Sequence, residues 1–301
     1  MDFIPPTKEE VSARFIEYQD IVFHRKGGFK AVYFGKRKHL MEALKLVYIP
    51  DADGVTDEEK KEIAAENVKR VVREIEILRE CKTPHIVKLG SLSPVEATIH
   101  DQRFIAYSEE YLDGSDLSTL IRAGYHPDEA ELRTLAVALL GAIKELWFSL
   151  KTVHRDIKPL NIMKIGDDNR KFVLVDLGIA YKIRDTALTR NPANVPGSLY
   201  YLAPEMLQPN FRETLDFKSD LYAAGLTIYE YATNVQPFAR RADATGQTLT
   251  RILYDRPKPL KDLRSDLPED FCETIDQLLK KLPALRPSNI DKLVEFMESH
   301  T

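Results

Sequence analysis

Short apolar runs alternate with polar residues over the first third of the chain, and a helical period takes over after that. Between Gln19 and Val47 the runs Ile21-Val22-Phe23, Ala31-Val32-Tyr33 and Leu44-Lys45-Leu46-Val47 are rich in β-branched and aromatic residues, which predicts three strands joined by turns. Ahead of them Thr7 and Glu10 have capping-box spacing before Val11, Phe15 and Ile16, so a small amphipathic helix should pack on this part of the molecule. A second capping box, Thr56 and Glu59, opens a helix expected to run to about Glu80, with Val68, Val71, Val72, Ile75 and Leu78 as its apolar stripe. Phe104-Ile105-Ala106-Tyr107 completes a small sheet.

After Gly114 the pattern turns mainly helical. Helices fit Glu129 to Leu150, Ser219 to Thr233, Glu269 to Lys281 and Asn289 to Ser299. A chain of 301 residues, 44% of them hydrophobic, is past the size at which one core usually splits. The expectation is an α+β fold in two lobes: a β-rich N-lobe with one long helix over residues 1–108, a hinge over 109–114, and a mainly helical C-lobe over 115–301. No internal repeat, low-complexity tract or Gly/Ser linker marks an appended domain.

Charge and cysteine usage narrow the partners. A net charge of −4 supplies no basic field for nucleic acid or an anionic membrane. The longest apolar run, Leu135 to Ile143, is too short to span a bilayer. Cys81 and Cys272 are two thiols far apart in sequence, which reads as core residues of a reducing, cytoplasmic compartment. Nucleotide and protein are the partners left.

The chemistry concentrates in His154-Arg155-Asp156-Ile157-Lys158-Pro159-Leu160-Asn161, followed by Asp176-Leu177-Gly178 and Ala203-Pro204-Glu205. Phosphoryl transfer needs a carboxylate facing the incoming hydroxyl, oxygen ligands for the magnesium ions on the phosphates, and a cation on the phosphates that stay behind. These segments, in this order and spacing, resemble a eukaryotic-type (Hanks-type) serine/threonine protein kinase catalytic domain. The resemblance implies a bilobal fold with ATP in the cleft between the lobes. It makes Asp156 the catalytic base and Asn161 and Asp176 the Mg2+ ligands. Lys158, two residues after the base, marks the serine/threonine class, as does Ser198 after Gly197. Lys45 in Ala43-Leu44-Lys45 corresponds to the lysine on the α and β phosphates, and Glu74 to its helix partner. Glu110 and Leu112 would offer backbone groups to adenine, Val32, Ala43 and Met163 would sandwich the ring, and Asp116 would reach the ribose. Leu78, His154 and Leu177 would form an apolar stack, Asp220 would brace the catalytic loop, and Arg286 would pair with Glu205.

Three positions depart from the family pattern. The phosphate-covering loop reads Arg25-Lys26-Gly27-Gly28-Phe29-Lys30-Ala31-Val32, so only Gly27 fits its glycine pattern and Arg25 and Lys30 replace the other two. Either the lid is loosened or charge is added toward the nucleotide. Glu109 occupies a position usually apolar or Thr, where a buried carboxylate is expensive unless paired or protonated. Either it points toward Lys45 and Glu74 and holds Lys45 away from Glu74 in an inactive state until nucleotide or helix movement restores that pair, or it faces solvent on a slipped register, or it pairs with a nearby polar group. Leu160 replaces an acidic residue associated with selection of arginine upstream of the target, while Leu199 and Leu202 suggest an apolar pocket after the acceptor. Arg155 before the base suggests switching by an activation-segment phosphate, with Thr186 and Thr189 as candidates modified in trans through transient self-association. A pseudokinase acting as a binding module and a small-molecule kinase are the competing readings.

Overall fold

The computed structural model describes residues 3–49, 57–167, 170–177, 197–208, 215–240 and 245–299. They divide into two compact units, residues 1–80 with 87–112 and residues 81–86 with 113–301. The second boundary lies within the expected hinge, and the short stretch 81–86 belongs to the helical unit because the Leu174 amide donates to the His85 carbonyl at 2.8 Å.

The first unit is a five-stranded antiparallel sheet, β1 (Tyr18–Lys26), β2 (Lys30–Arg37), β3 (Leu40–Ile49), β4 (Val95–Ile99) and β5 (Gln102–Glu110), in the order β1-β2-β3-β5-β4. Side chains alternate between faces along a strand, and directly opposed residues share a face. One face therefore carries Ala31, Tyr33, Leu44, Leu46, Phe104 and Ala106, all buried in one apolar cluster with Phe3, Val11, Phe15, Tyr18 and Ile21. Burying each of the larger side chains contributes roughly 1.5–3 kcal/mol. The N-terminal segment covers this face. Its helix α1 (Lys8–Arg14) has the expected capping box, Thr7 accepting from the Glu10 amide and the Glu10 carboxylate from the Thr7 amide. Tyr33 donates its hydroxyl to the Pro6 carbonyl at 2.5 Å and ties the segment down.

The opposite face carries Lys30, Val32, Ala43, Lys45, Tyr107 and Glu109. Helix α2 (Asp57–Glu80) adds Glu74 to this set through bonds to Lys30 and Tyr107. Val71, Ile75 and Leu78 are buried on α2 as expected, but Val72 is 42% exposed and Ile77 is buried instead. At roughly 100° per residue the buried arc is rotated toward Glu74 and leaves Val72 at the solvent edge. Thr56 and the side chain of Glu59 lie outside the described residues.

In the second unit a three-stranded sheet, β6 (Gly114–Asp116), β7 (Ile162–Ile165) and β8 (Phe172–Leu174), accompanies the helices. Gly114 is required there: a Cβ would lie 2.0 Å from the Lys164 carbonyl oxygen. Helix α3 (Leu117–Arg122) leads to α4 (Glu129–Lys144), which continues as one π-helical turn over Glu145–Ser149. The predicted helix over 129–150 is thus one α segment ending in a wider turn, a feature that often accompanies functional sites. Next comes α5 (Phe217–Thr233), capped by Asp216 and buried on nearly every side, as a helix at the centre of a core must be. Helices α6 (Thr245–Tyr254), α7 (Leu260–Leu263), α8 (Glu269–Leu278) and α9 (Ile290–Glu298) complete the order. Helix α4 packs against α5 and α9, and α8 against α5. Both cysteines are buried and unpaired with each other, and among the described residues no helix is long and apolar enough to cross a membrane.

One ion pair closes this unit. Arg286 meets Glu205 in bidentate fashion at 2.6 and 2.8 Å, and Ser219 donates to the same carboxylate at 2.6 Å. Burial pushes the Glu205 carboxyl up, but the Arg286 guanidinium and the Ser219 hydroxyl outweigh it and hold it below its ordinary value. Replacing Arg286 with leucine should cost about 3–5 kcal/mol, since Glu205 would keep its burial and lose its cation. Urea denaturation of the two proteins reads this directly; a loss under about 1 kcal/mol would mean that the pair behaves like an exposed one.

Candidate active site

The segment that begins at His154 in the second unit is held from behind by Asp220, which is 1% exposed. Its Oδ2 accepts from the His154 amide at 2.7 Å and its Oδ1 from the Arg155 amide at 2.9 Å. Burial raises the Asp220 carboxyl to about 6, and the two backbone bonds oppose the rise. Arg155 sits at φ 68°, a left-handed conformation that costs a non-glycine residue roughly 1–2 kcal/mol. The bond from its amide to Asp220 helps to hold it there. Asp176, at φ 63°, is left-handed as well, so both loops expected to carry chemistry contain strained backbone.

Held this way, the loop gathers three of the predicted residues. Lys158 Nζ lies 2.8 Å from both oxygens of Asp156. Asn161 Nδ2 donates at 2.9 Å to the Asp156 carbonyl and again to Oδ2. The Asp156 side chain is 14% exposed, so the carboxylate is anchored but reachable. Because the Asn161 amide nitrogen is turned onto Asp156, its oxygen faces away and is presented as a hard donor. The Val175 amide donates to the Asn161 carbonyl at 2.8 Å and fixes Asp176 in sequence beside that loop. Among the described residues no three His, Cys, Asp or Glu cluster as a metal site. Magnesium does not need one, since one or two protein oxygens plus phosphates and waters suffice. Asn161 and Asp176 fit that requirement.

Other predicted residues of this unit have visible structural work. Asp116 accepts from the Thr119 amide and hydroxyl, both at 2.9 Å, and caps α3. Met163 pairs with Asp116 across β6 and β7. His154 and Leu177 are fully buried, and Leu199 and Leu202 are buried as well, whereas Leu160 is 42% exposed. Thr186 and Thr189 lie outside the described residues, as does the side chain of Ser198.

The first unit carries the remaining set, and its pairing differs from the one that the resemblance implied. Lys45 Nζ lies 2.5 Å from Glu109 Oε1. Glu74 Oε1 instead accepts from Lys30 Nζ at 3.1 Å and from the Tyr107 hydroxyl at 3.2 Å. No ion pair joins Lys45 to Glu74 among the described residues. The cause is Glu109: it is 2% exposed, and a carboxylate at that depth must be paired or protonated. Burial pushes its carboxyl up, and Lys45 and Lys30 pull it back. Lys30 was legible as the loop's missing glycine but not as a partner of Glu74. Two-residue alternation puts it on the face of Val32, and so of Lys45, and was the signal available. Val32 and Ala43 are buried on that face, Gly27 closes the β1–β2 turn by donating to the Lys30 carbonyl at 2.7 Å, and Glu110 exchanges bonds with the Lys88 backbone.

The match to known proteins follows the same residues. The family model described as the protein kinase domain fits residues 27–297. The chain belongs to the protein kinase family. Three relatives show its breadth. A tyrosine-protein kinase, MasK, of Myxococcus xanthus is 30% identical over 72% of this chain and 34% of its own length. The dual specificity mitogen-activated protein kinase kinase mek-1 of Caenorhabditis elegans is 31% identical over 58% of this chain and 48% of its own. The serine/threonine-protein kinase dst1 of Dictyostelium discoideum is 28% identical over 86% of this chain and 31% of its own. The chain spans less than half the length of these curated relatives.

An acidic group outside the predicted set shares the second unit of this kinase. The Tyr201 hydroxyl donates to Glu230 Oε2 at 2.6 Å, and burial raises Glu230 from 4.5 to about 7, with Tyr201 opposing. Glu230 binds its proton more tightly in the fold than in the unfolded chain, so its contribution to stability is full below about 4.5 and is lost as pH rises through about 7. Melting temperatures of wild type and Glu230→Gln measured from pH 5 to 8 should therefore diverge, with the variant gaining relative to wild type by on the order of 2–3 kcal/mol at the alkaline end. A constant difference across that range would contradict the shift.

Proposed function

We propose that this protein kinase transfers the γ-phosphoryl group of ATP to Ser or Thr hydroxyls of protein substrates, using Mg2+. The observation that carries the reading is the Lys158 ammonium set symmetrically on both oxygens of Asp156. Asp156 orients the substrate hydroxyl and accepts its proton as the oxygen attacks phosphorus. Lys158 holds the carboxylate in place through both its oxygens and places positive charge where the transferring group becomes more anionic. Asn161 and Asp176 are the residues that would hold the metal, which would neutralise phosphate charge when bound with nucleotide. Lysine two residues after the base supports Ser/Thr over Tyr, while relatives of tyrosine and dual specificity make the acceptor a matter for measurement. A nucleotide-binding module without transfer is the second reading, and the Lys45–Glu109 pair favours it by drawing that lysine onto a side-chain carboxylate.

Asp156→Ala should lower phosphotransfer to a generic protein substrate by about 10²-fold or more while ADP binding persists, because Asp156 meets the hydroxyl and not the nucleotide. Turnover at the wild-type rate in the purified variant would sink the assignment. Transfer absent from the wild type itself, with ADP still bound, would favour the second reading.

Thr186 and Thr189 are the candidate activation-segment phosphosites, with Arg155 as the cation that would pair with the phosphate. Thr186→Ala, Thr189→Ala should lose the activity that wild type gains on preincubation with ATP, and the gain in wild type should depend on protein concentration if one copy modifies another. Activation of the double variant equal to wild type, without phosphate at either site by mass spectrometry, would refute this.

A further inference from the structure

On the sheet face away from Ala43 and Lys45, the first unit holds a buried carboxylate that pairs with no cation among the described residues. Glu42 is 4% exposed, and by alternation along β3 it shares the side of Leu44 and Leu46. Its Oε2 accepts from the Tyr18 hydroxyl and its Oε1 from the Ser91 amide, both at 2.7 Å. Arg37 reaches the Ser91 hydroxyl at 2.7 Å instead. Burial pushes the Glu42 carboxyl up, but the bonds from Tyr18, Ser91 and Ser108 outweigh it and hold it below its ordinary value. An ionised carboxylate only accepts, so both oxygens serve these donors.

The segment it grips, residues 88–92, lies alongside β5. The Gly90 amide donates to the Ser108 carbonyl at 2.8 Å, the Ser108 amide to the Leu92 carbonyl at 3.3 Å, and the Glu110 amide to the Lys88 carbonyl at 2.9 Å. Ser108 Oγ accepts from the Leu92 amide at 2.9 Å. The approach is too close for a side chain at Gly90, where a Cβ would lie 2.4 Å from Ser108 Oγ and 3.1 Å from Glu42 Cδ. Glu42 and Glu110 stand directly opposite each other across β3 and β5. From β3, the carboxylate thus fastens the segment that binds the Glu110 peptide.

We propose that Glu42 is a positioning residue for the nucleotide base, acting through segment 88–92 on the backbone of Glu110. This rests on the ATP-dependent reading above, in which backbone groups of Glu110 and Leu112 meet adenine. Such recognition depends on polarity and placement: adenine offers an amino donor beside a ring-nitrogen acceptor, whereas hypoxanthine reverses both. A peptide group held in place rejects the reversed base, because its own donor or acceptor would be left unpaired. A loosened one can turn to suit either.

Binding of ADP and of inosine diphosphate to the full chain, each with Mg2+, tests this through the ratio of the two affinities, from which a general loss of stability cancels. Wild type should prefer ADP. Glu42→Ala should shrink that preference by about fivefold or more. Gly90→Ala, which forces the segment off Glu42 without altering β3, should do the same and stands in if Glu42→Ala fails to fold. Glu42→Gln keeps an acceptor for the Ser91 amide and can donate to Tyr18, so it should recover part of the preference. The assignment is overturned if either folded alanine variant keeps the wild-type ratio, including the case in which both affinities fall by one factor, as they would for a purely structural Glu42. A wild type with no preference for ADP would overturn the ATP-dependent reading as well, so the two failures are distinguishable.

Discussion

Asp220 is a carboxylate buried within the central helix of the second unit, and its oxygens are committed to the backbone amides of His154 and Arg155. An unsatisfied acceptor at that depth would cost several times what a surface bond contributes, so the loop has little choice but to close on it. From that anchor the chain passes Arg155 in a left-handed turn and reaches Asp156, where Lys158 and Asn161 converge. The position of Asp156 is therefore set by a group that does not itself touch its side chain. The same unit ends at Arg286, whose pairing with Glu205 fastens the segment after the activation loop to the C-terminal region.

Charge matching governs the first unit in another way. One sheet face is apolar and covered by the N-terminal segment, with Tyr33 reaching Pro6. The other carries Lys30, Lys45 and Glu109 and receives Glu74 from α2, and the buried charges among them are too deep to be left uncompensated. Introducing Glu109 into such a face requires a cation, and the nearest was the lysine that the family pattern reserves for Glu74. Lys30, at a position where a glycine would have been silent, restores the balance. The departures from the family pattern at Lys30 and Glu109 are thus two halves of one change.

Much of this was legible in the sequence, because local rules and tertiary structure agree there. The Thr7 and Glu10 capping box, the three strand cores, the long helix ending at Glu80 and the Asp220 and Arg286 partnerships all follow from spacing or motif register. The misses have physical causes. Val72 fits a helical stripe in one dimension, but the sheet selects an arc centred nearer Glu74, so Ile77 is buried in its place. Asp116, given to the ribose by resemblance, also caps α3, an added role that periodicity does not reveal until the helix is seen to begin at Leu117. That Glu109 would draw Lys45 from Glu74 was one expectation from its position, but that Lys30 would then take Glu74 depends on burial across elements distant in sequence, where motif register carries no information. Glu230 and Tyr201 met for the same reason, through tertiary contact across 29 positions.

Incubating the purified chain with γ-labelled ATP, Mg2+ and a generic protein substrate, then hydrolysing the product to its phosphoamino acids, tests the central claim most directly. Label recovered as phosphoserine or phosphothreonine, and lost when Mg2+ is chelated, is the predicted result. Label confined to phosphotyrosine would contradict the acceptor class, and no label in either protein would contradict the account of Asp156, Lys158 and Asn161 as working catalytic machinery.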